Sequence, residues 1–299
     1  MLGPVALIAS RSSWIAVAVT AILCGILCGV VYRLWGENFC ESKLINILFL
    51  LWHIYAAAEV AFLGCLCWPG KGSQIVIPAV LILLSALSAY QGERSAGAVA
   101  GILCPLCTAV FALVLASGIG NIRWDRMELP NVPPSGMLIF VFLLPTVALT
   151  IPRKESPSEG GLALIGIWAA LLSAAVMGTL SLGVMLTRQN AFYEFSKSLN
   201  IFGTVQRFES MVAVAVTLSL YAMLSLLMSS IKNVAENIYP EAGKLGVFFA
   251  VFTSVGILVL KLRLNDKAIA ALSIIVWGFV VIAYRFLDEK NYKKQDDCA

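Results

Sequence analysis

Long, nearly uncharged stretches of apolar residues recur from one end of this sequence to the other. A helix needs about 20 residues to cross the hydrocarbon core of a bilayer, which is about 30 Å thick. The stretches are separated by charged, glycine-rich and proline-rich segments, and about nine of them are roughly 17 to 27 residues long, as tilted membrane helices are. This recurrence predicts a chain that crosses a membrane repeatedly.

The fold class follows from the absence of water inside a bilayer. Main-chain amides and carbonyls at that depth must be paired within the protein, so helices rather than open sheets are expected. We predict an all-α integral membrane protein that forms one polytopic domain over residues 1–299. The predicted spans lie near residues 14–35, 44–68, 73–90, 95–117, 135–151, 161–187, 208–231, 245–260 and 269–286.

The composition argues against a soluble fold and against a nucleic-acid partner. Of the 299 residues, 60% are hydrophobic and 13% are charged, whereas soluble domains are about one quarter charged. The net charge is +4, and no basic cluster is interleaved with aromatic residues as in a nucleic-acid surface. The lipid bilayer is therefore the expected environment.

The sequence offers little for catalysis or metal binding. His53 is the only histidine, so neither a Ser-His-Asp triad nor a histidine metal centre can be assembled. Most of the eight cysteines lie in or beside apolar runs, and the CxxC pair at Cys104 and Cys107 has no second pair. No GxxxxGKS/T, HExxH or GxSxG motif occurs. We expect no catalytic residue, no metal and no cofactor.

Ionisable residues within span 44–68 give the sharpest functional signal, because a charge at membrane depth is costly and is a functional hypothesis by default. Tyr55 and Glu59 are four residues apart and share a helix face, where they could line a polar cavity in which Glu59 holds a proton or an ammonium group. The alternative is that Glu59 lies near the helix end and reaches headgroup water. His53 lies on another face, and hydrogen bonding within the bundle is its expected role.

Polar residues also mark span 208–231 and the segment before it. In residues 189–206 the phenylalanines and Leu199 follow helical spacing, which predicts an amphipathic helix at the membrane surface. Hydroxyl groups at Ser219 and Tyr221 are expected to make interhelical hydrogen bonds, with ligand lining as the alternative. Arg207 and Glu209 are expected to anchor the start of the span, with ligand contact as the alternative.

Four stretches, taken in order, resemble one family. Residues 11–17 (RSSWIAV) are similar to a polar turn before its second helix, and residues 90–105 (YQGERSAGAVAGILCP) to a glycine-led entry into its fifth. Residues 123–131 (RWDRMELPN) resemble an acidic segment ending in Leu-Pro, and residues 192–209 (FYEFSKSLNIFGTVQRFE) a segment ending in Gln-Arg-Leu-Glu. The family is that of the B subunits of spore germinant receptors, the GerAB family, within the amino acid/polyamine/organocation transporter superfamily. The motif residues are Trp14, Gly92, Pro105, Pro130, Gln206, Arg207 and Glu209.

The resemblance implies an inverted-repeat transporter fold of the LeuT type, in which discontinuous helices hold the substrate near the bilayer midplane. By that alignment the chain has nine spans plus an N-terminal half-helix, with the first break at Gly3 and Pro4. A second break would lie at Pro145 and Thr146, where the proline could equally be a packing kink. The residues expected to line the substrate site are Gly3, Pro4, Tyr55, Glu59, Pro145, Thr146, Ser219 and Tyr221.

The function that the resemblance implies is nutrient sensing. The chain would bind a small amino acid, and binding would shift the helix bundle between two states without chemistry. Its partners would be an A-type membrane subunit and a C-type lipoprotein, in the spore inner membrane or the bacterial cytoplasmic membrane. The alternatives are a proton- or cation-coupled amino acid transporter with the same fold and a degenerate structural subunit.

Overall fold

The computed structural model describes residues 43–65, 68, 73–123, 171, 174–176, 178–180, 191–198 and 208–260. Regular structure within these ranges is helical throughout, and they contain no strand. The helices are α1 (Lys43–Cys65), α2 (Ser73–Gln91), α3 (Glu93–Gly118), α4 (Ala191–Ser198), α5 (Phe208–Ile238) and α6 (Gly243–Val259), and a 3₁₀ turn, Ile119–Asn121, extends α3. The all-α prediction is confirmed for these residues.

Helix α5 is the centre of the described bundle. It packs against α1, α2, α3 and α6, and each pair among α1, α2, α5 and α6 is in contact. Helix α3 lies against α5 and α2, and of its 26 residues only Ala96, Cys107, Val114 and Gly118 are buried. These four residues lie on one face of the helix, so most of the α3 surface is left exposed.

The core lies where α1, α2, α5 and α6 meet. Small side chains on α1 allow the helices to approach closely, while larger aliphatic side chains from α2 and α5 fill the space between them. Such packing supplies helix association in a membrane, where there is no hydrophobic drive between helices. The buried residues of this core are Ile54, Ala57, Ala58, Val60, Ala61, Leu81, Ile82, Ala89, Leu224, Leu227, Met228, Ile231, Ala250 and Leu258.

Helices α1 and α2, α2 and α3, and α5 and α6 run antiparallel. Gly64, at the end of α1, lies against Leu81 in the first half of α2. The Lys244 ammonium group, at the start of α6, is 4.9 Å from the ring centroid of Tyr90 at the end of α2. The starts of α1, α3 and α6 therefore share one end of the bundle with the ends of α2 and α5. We call this end the Lys43 end, and the opposite one the Arg123 end.

A chain reversal at Gly92 joins α2 to α3 at the Lys43 end. Gly92 is the N-cap of α3 and has φ +117° and ψ 169°, a region that side chains with a Cβ rarely adopt. The amides of Ser95 and Ala96 both bond to the Gly92 carbonyl, so the reversal leads directly into the helix. The predicted glycine-led start of this helix therefore has a conformational cause.

Five of the predicted spans coincide with described helices. Spans 44–68, 73–90, 95–117 and 245–260 match α1, α2, α3 and α6 to within three residues at each end, while α5 continues seven residues past the predicted end of span 208–231. Spans 14–35, 135–151 and 269–286 lie outside the described residues, and so does most of 161–187. By length and composition, three described helices could cross a membrane, over Asn46–Gly64, Glu93–Gly118 and Glu209–Ile238.

The predicted amphipathic segment contains the short helix α4. Phe195 is buried and Lys197 is exposed, and the Lys197 ammonium group forms an ion pair of 3.1 Å with Glu194. Helix α4 packs against α5. Of the apolar residues that the spacing singles out, Phe195 is the one whose side chain the structure describes, and its burial agrees with the prediction.

Candidate functional site

The Tyr55 hydroxyl on α1 donates a hydrogen bond of 2.9 Å to Oε1 of Glu59. Both side chains are partly buried. The contact follows directly from helix geometry, because residues four apart lie one above the other on the same face. A carboxylate has about four acceptor positions, so this bond leaves Glu59 able to accept further hydrogen bonds from a cationic group.

Trp52 extends this face by one helical turn. Its ring centroid is 6.3 Å from that of Tyr55, with the planes tilted by 41°. The side chain is only 8% exposed, and among the described residues its indole Nε1 has no hydrogen-bond partner. A buried indole N–H usually has a partner, and leaving one unsatisfied costs about 1–3 kcal/mol. Together, Trp52, Tyr55 and Glu59 form the candidate site, which we call the aromatic–carboxylate site.

The other buried polar residues of α1 face the bundle on a different side. His53 is 2% exposed and its Nδ1 lies at hydrogen-bonding distance from the carbonyl oxygen of Phe49. A carbonyl only accepts, so Nδ1 is the donor in this contact. The rings of the same two residues make an edge contact with centroids 6.2 Å apart. His53 therefore has the intrahelical hydrogen bond of a structural residue, and it belongs to a face separate from Glu59.

Two serine hydroxyls of α5 donate to main-chain carbonyls of their own helix. Ser219 donates a 2.8 Å hydrogen bond to the carbonyl oxygen of Ala215, and Ser225 donates one of 2.9 Å to that of Tyr221. The sequence predicts an interhelical hydrogen bond for Ser219. A serine hydroxyl readily reaches the carbonyl four residues earlier, so the donated bond is intrahelical. Tyr221 packs at the edge of the core.

Two interhelical polar contacts come from Ser254 and Cys107, for which the sequence analysis predicts no such bond. Ser254 on α6 donates a hydrogen bond of 3.0 Å to the carbonyl oxygen of Ile54 on α1. Cys107 on α3 donates one of 3.3 Å to the carbonyl oxygen of Ala215 on α5. Both contacts join buried positions of neighbouring helices. Each therefore fixes the relative height of two helices as well as their separation.

Of the eight predicted substrate-lining residues, the structure describes four. It brings Tyr55 and Glu59 into direct contact, and Ser219 and Tyr221 lie on α5, which packs against α1. Gly92 caps α3, Pro105 lies inside α3, and Glu209 is in the first turn of α5. The remaining predicted residues lie outside the described residues: Gly3, Pro4, Trp14, Pro130, Pro145, Thr146, Gln206 and Arg207.

Sequence reasoning missed Trp52 as a member of the site. The signal was present, because positions 52, 55 and 59 have the i, i+3, i+7 spacing of one helix face. Tryptophan in an apolar run is ordinarily read as a core or interfacial residue. Trp52 joins the site because it lies on the Tyr55–Glu59 face and because its buried N–H lacks a partner among the described residues. That burial depends on neighbours from other helices.

The described helices and their buried polar contacts are those of an α-helical membrane protein, with three helices long and apolar enough to cross a bilayer. Neither a protein-family model nor a curated protein matches this sequence significantly.

Proposed function

We propose that this chain is a polytopic membrane subunit that binds a small amino acid within a transporter-like helix bundle. In this proposal it acts as the nutrient-sensing subunit of a spore germinant receptor, in the spore inner membrane, together with an A-type membrane subunit and a C-type lipoprotein. The proposed bundle has nine spans and an N-terminal half-helix. The resemblance in four ordered stretches supports the family, and the aromatic–carboxylate site supports ligand binding.

The observation that carries the proposal is the depth of Glu59. Tyr55 is nine residues from each end of the apolar span Asn46–Gly64, and Glu59 is only about 6 Å further along the helix axis, at 1.5 Å per residue. With this span centred in a bilayer, Glu59 lies well inside the half-thickness of about 15 Å. Depth therefore favours the cavity role of Glu59 over a headgroup role.

A carboxylate at that depth is stabilised by hydrogen bonds and by positive charge. Inserting an acidic residue at the centre of a membrane helix costs about 2.5–3.5 kcal/mol on the biological insertion scale. The Tyr55 hydroxyl supplies one hydrogen bond, and an ammonium group would supply both charge and further donors. The Tyr55 ring beside the carboxylate is also suited to a cation. An amine-bearing ligand therefore matches the chemistry of the site.

Binding would act by a shift in conformational population. A ligand can change the ratio of two bundle states only by its difference in affinity for them. Helix α1 contacts α2, α5 and α6, so a movement of α1 changes the packing of the whole described core. A sensor would pass this movement to partner subunits, whereas a transporter would use it to expose the site alternately on the two sides.

The proposal is tested by binding measurements on the full chain in lipid nanodiscs. The standard amino acids are tested for binding, and Glu59→Gln is compared with Glu241→Gln, which removes a charge from an exposed position in the turn before α6. We expect Glu59→Gln to weaken binding by about tenfold or more, because it removes a charge-assisted bond, and Glu241→Gln to have no effect. Unchanged binding in Glu59→Gln would contradict the proposal.

A second measurement separates sensing from transport. The chain is reconstituted into vesicles with an imposed proton or sodium gradient, and uptake of the radiolabelled ligand is followed. A sensor binds without accumulating ligand inside the vesicle, whereas accumulation against a concentration gradient identifies a coupled transporter. A carboxylate that holds a proton in the membrane is compatible with the transporter, so this candidate is kept beside the sensor.

A further inference from the structure

We propose that Trp52 is the carboxylate-recognising residue of the aromatic–carboxylate site, where its indole N–H donates a hydrogen bond to the ligand. This inference rests on the proposed function and makes the ligand class narrower. Glu59 holds the ammonium group and Trp52 holds the carboxylate, so the site selects zwitterionic α-amino acids over simple amines. It adds a specificity-determining residue to the Tyr55–Glu59 pair.

The Trp52 indole N–H is a buried hydrogen-bond donor. In the part of the chain that the structure describes, the Trp52 Nε1 atom is buried and lacks a hydrogen-bond partner, although the side chain is only 8% exposed. Trp68 shows the ordinary situation, because its Nε1 donates a hydrogen bond of 3.0 Å to the Thr217 hydroxyl. A buried donor without a partner calls for an explanation, and a ligand oxygen supplies one.

A hydrogen-bond donor and a hydrogen-bond acceptor, Trp52 and Glu59, lie along one face of α1. Trp52 and Glu59 are seven residues apart, which is about 10 Å along the helix axis, and Tyr55 lies between them in contact with both. The indole donor and the carboxylate acceptor therefore lie on one face of α1, on either side of Tyr55. The indole donates and the carboxylate accepts, which is the complement of a zwitterion.

The Trp52 side chain has no hydrogen-bond acceptor. The indole group is a donor only, so it cannot bind the ammonium end of a ligand through its nitrogen. A carboxylate is the strongest acceptor that a small ligand carries, and a hydrogen bond to an ionised acceptor is about twice as strong as a neutral one. Trp52 therefore distinguishes the carboxylate end from the amine end.

The experiment compares amino acids with their decarboxylated amines. The full chain in nanodiscs is titrated with the tightest-binding standard amino acid and with the amine left when its carboxylate is removed. The variants are Trp52→Phe and a Trp52 replacement by β-(3-benzothienyl)alanine, which keeps the shape of the ring and removes the N–H. Trp68→Phe is the matched control, because it removes an indole whose N–H is bonded within the protein.

We expect both Trp52 replacements to weaken amino acid binding by about tenfold and to leave amine binding unchanged. Trp68→Phe should change neither. The inference is overturned if the benzothienyl variant binds the amino acid as well as the natural protein does, or if it weakens amino acid and amine equally. If Trp52→Phe lowers the thermal stability, amino acid and amine binding are compared in the benzothienyl variant alone.

Glu59→Gln distinguishes a failure of the proposed function from a failure of the role assigned to Trp52. It should weaken both the amino acid and the amine, because each has an ammonium group. If Glu59→Gln is without effect, or if no standard amino acid binds, the proposed function itself fails. If Glu59→Gln weakens both ligands while the Trp52 variants show no discrimination, only the role of Trp52 fails.

Discussion

The Ser254 hydroxyl on α6 donates a hydrogen bond of 3.0 Å to the main-chain carbonyl oxygen of Ile54 on α1. Both residues are buried, and Ile54 is the residue before Tyr55 and two after Trp52. The contact therefore ties α6 to the part of α1 that carries the aromatic–carboxylate site. A serine that bonds to the main chain of another helix allows close approach and also fixes helix height.

Ser254→Ala should lower the free energy of unfolding by about 0.6–1.7 kcal/mol, which is the average-to-maximum range of measured interhelical hydrogen bonds in a membrane protein. The Ile54 carbonyl keeps its own helical partner, so the loss stays modest. Unfolding in mixed detergent micelles measures the change. Ser88→Ala is the matched control, because among the described residues the buried Ser88 hydroxyl has no partner. This control should be neutral or slightly stabilising, and equal losses in both variants would contradict the role of Ser254.

The helices were largely predictable from the sequence, whereas this contact was not. Apolar runs bounded by charge and by Gly92 determine where α2 ends and α3 begins, because glycine can adopt the positive φ of the reversal. The Ser254 contact depends on which face of α6 meets α1 and at what height. No local pattern determines that height, so a serine within an apolar run could equally have bonded to its own helix, as Ser219 does.

Gly246 allows α6 to lie close to α5, and Gly246→Ala should separate them. A Cβ at Gly246 would lie 2.5 Å from the Cβ of Ala235, and Ala235 is buried with no torsion that could move its methyl group aside. Overpacking of this kind costs about 1–3 kcal/mol. We expect Gly246→Ala to lower the thermal midpoint of the detergent-solubilised protein by several degrees.

Gly256 gives the matched control on the same helix. A Cβ there would meet nothing within 4 Å, so Gly256→Ala should be neutral or stabilising, by up to about 1 kcal/mol from helix propensity. Adding Ala235→Gly to Gly246→Ala should restore part of the lost stability, since it removes the opposing methyl group. Equal effects of the two alanine substitutions would mean that close packing of α5 and α6 is not the cause.

Tyr55→Phe should weaken amino acid binding by about five- to tenfold while leaving Glu59 in place. The substitution removes the hydroxyl that donates to Glu59 and holds its carboxylate in place. A five- to tenfold loss corresponds to about 1–1.4 kcal/mol, which is below the roughly 1.5–3 kcal/mol of a full hydrogen bond to a charged group. The remaining carboxylate still attracts an ammonium group, so the loss should be smaller than in Glu59→Gln. Titration calorimetry in nanodiscs measures both affinities.

Tyr239→Phe controls for the loss of a tyrosine hydroxyl, because Tyr239 is 60% exposed in the turn between α5 and α6. It should bind as the natural protein does. A larger loss in Tyr55→Phe than in Glu59→Gln would reverse the assigned roles, since the tyrosine would then contact the ligand more strongly than the carboxylate does.

The sequence predicts the Tyr55–Glu59 part of the candidate site but not Trp52, for a physical reason. The Tyr55–Glu59 contact needs only one helix, because residues four apart on a helix are neighbours whatever surrounds them. Trp52 has the right spacing, but its importance comes from burial of an indole N–H that has no partner in the described part of the chain. Burial is a property of the assembled bundle, so this residue could be singled out only from the structure.

The antiparallel order of the helices predicts which connections share a side of the membrane. Arg94 at the start of α3 and Glu241 between α5 and α6 are both exposed at the Lys43 end, and Arg123 is exposed at the opposite end. Helix α3 is long enough to cross a bilayer between Arg94 and Arg123. Single cysteines at positions 94 and 241 should therefore react with a membrane-impermeant maleimide from one side, and a cysteine at position 123 from the other.

The measurement uses a chain in which the eight native cysteines are replaced, and it compares intact spheroplasts with inverted membrane vesicles. Each single cysteine should react in only one of the two preparations, since water-filled reaction sites exist only outside the hydrocarbon core. A cysteine at position 102 is the internal control: Ile102 is 70% exposed but lies within α3, so it should resist labelling from both sides until detergent is added. Labelling of positions 94 and 123 from the same side would mean that α3 does not cross the membrane. Because α1 and α3 both pack against the central helix α5, the assignment of Glu59 to mid-membrane depth would then lose its basis.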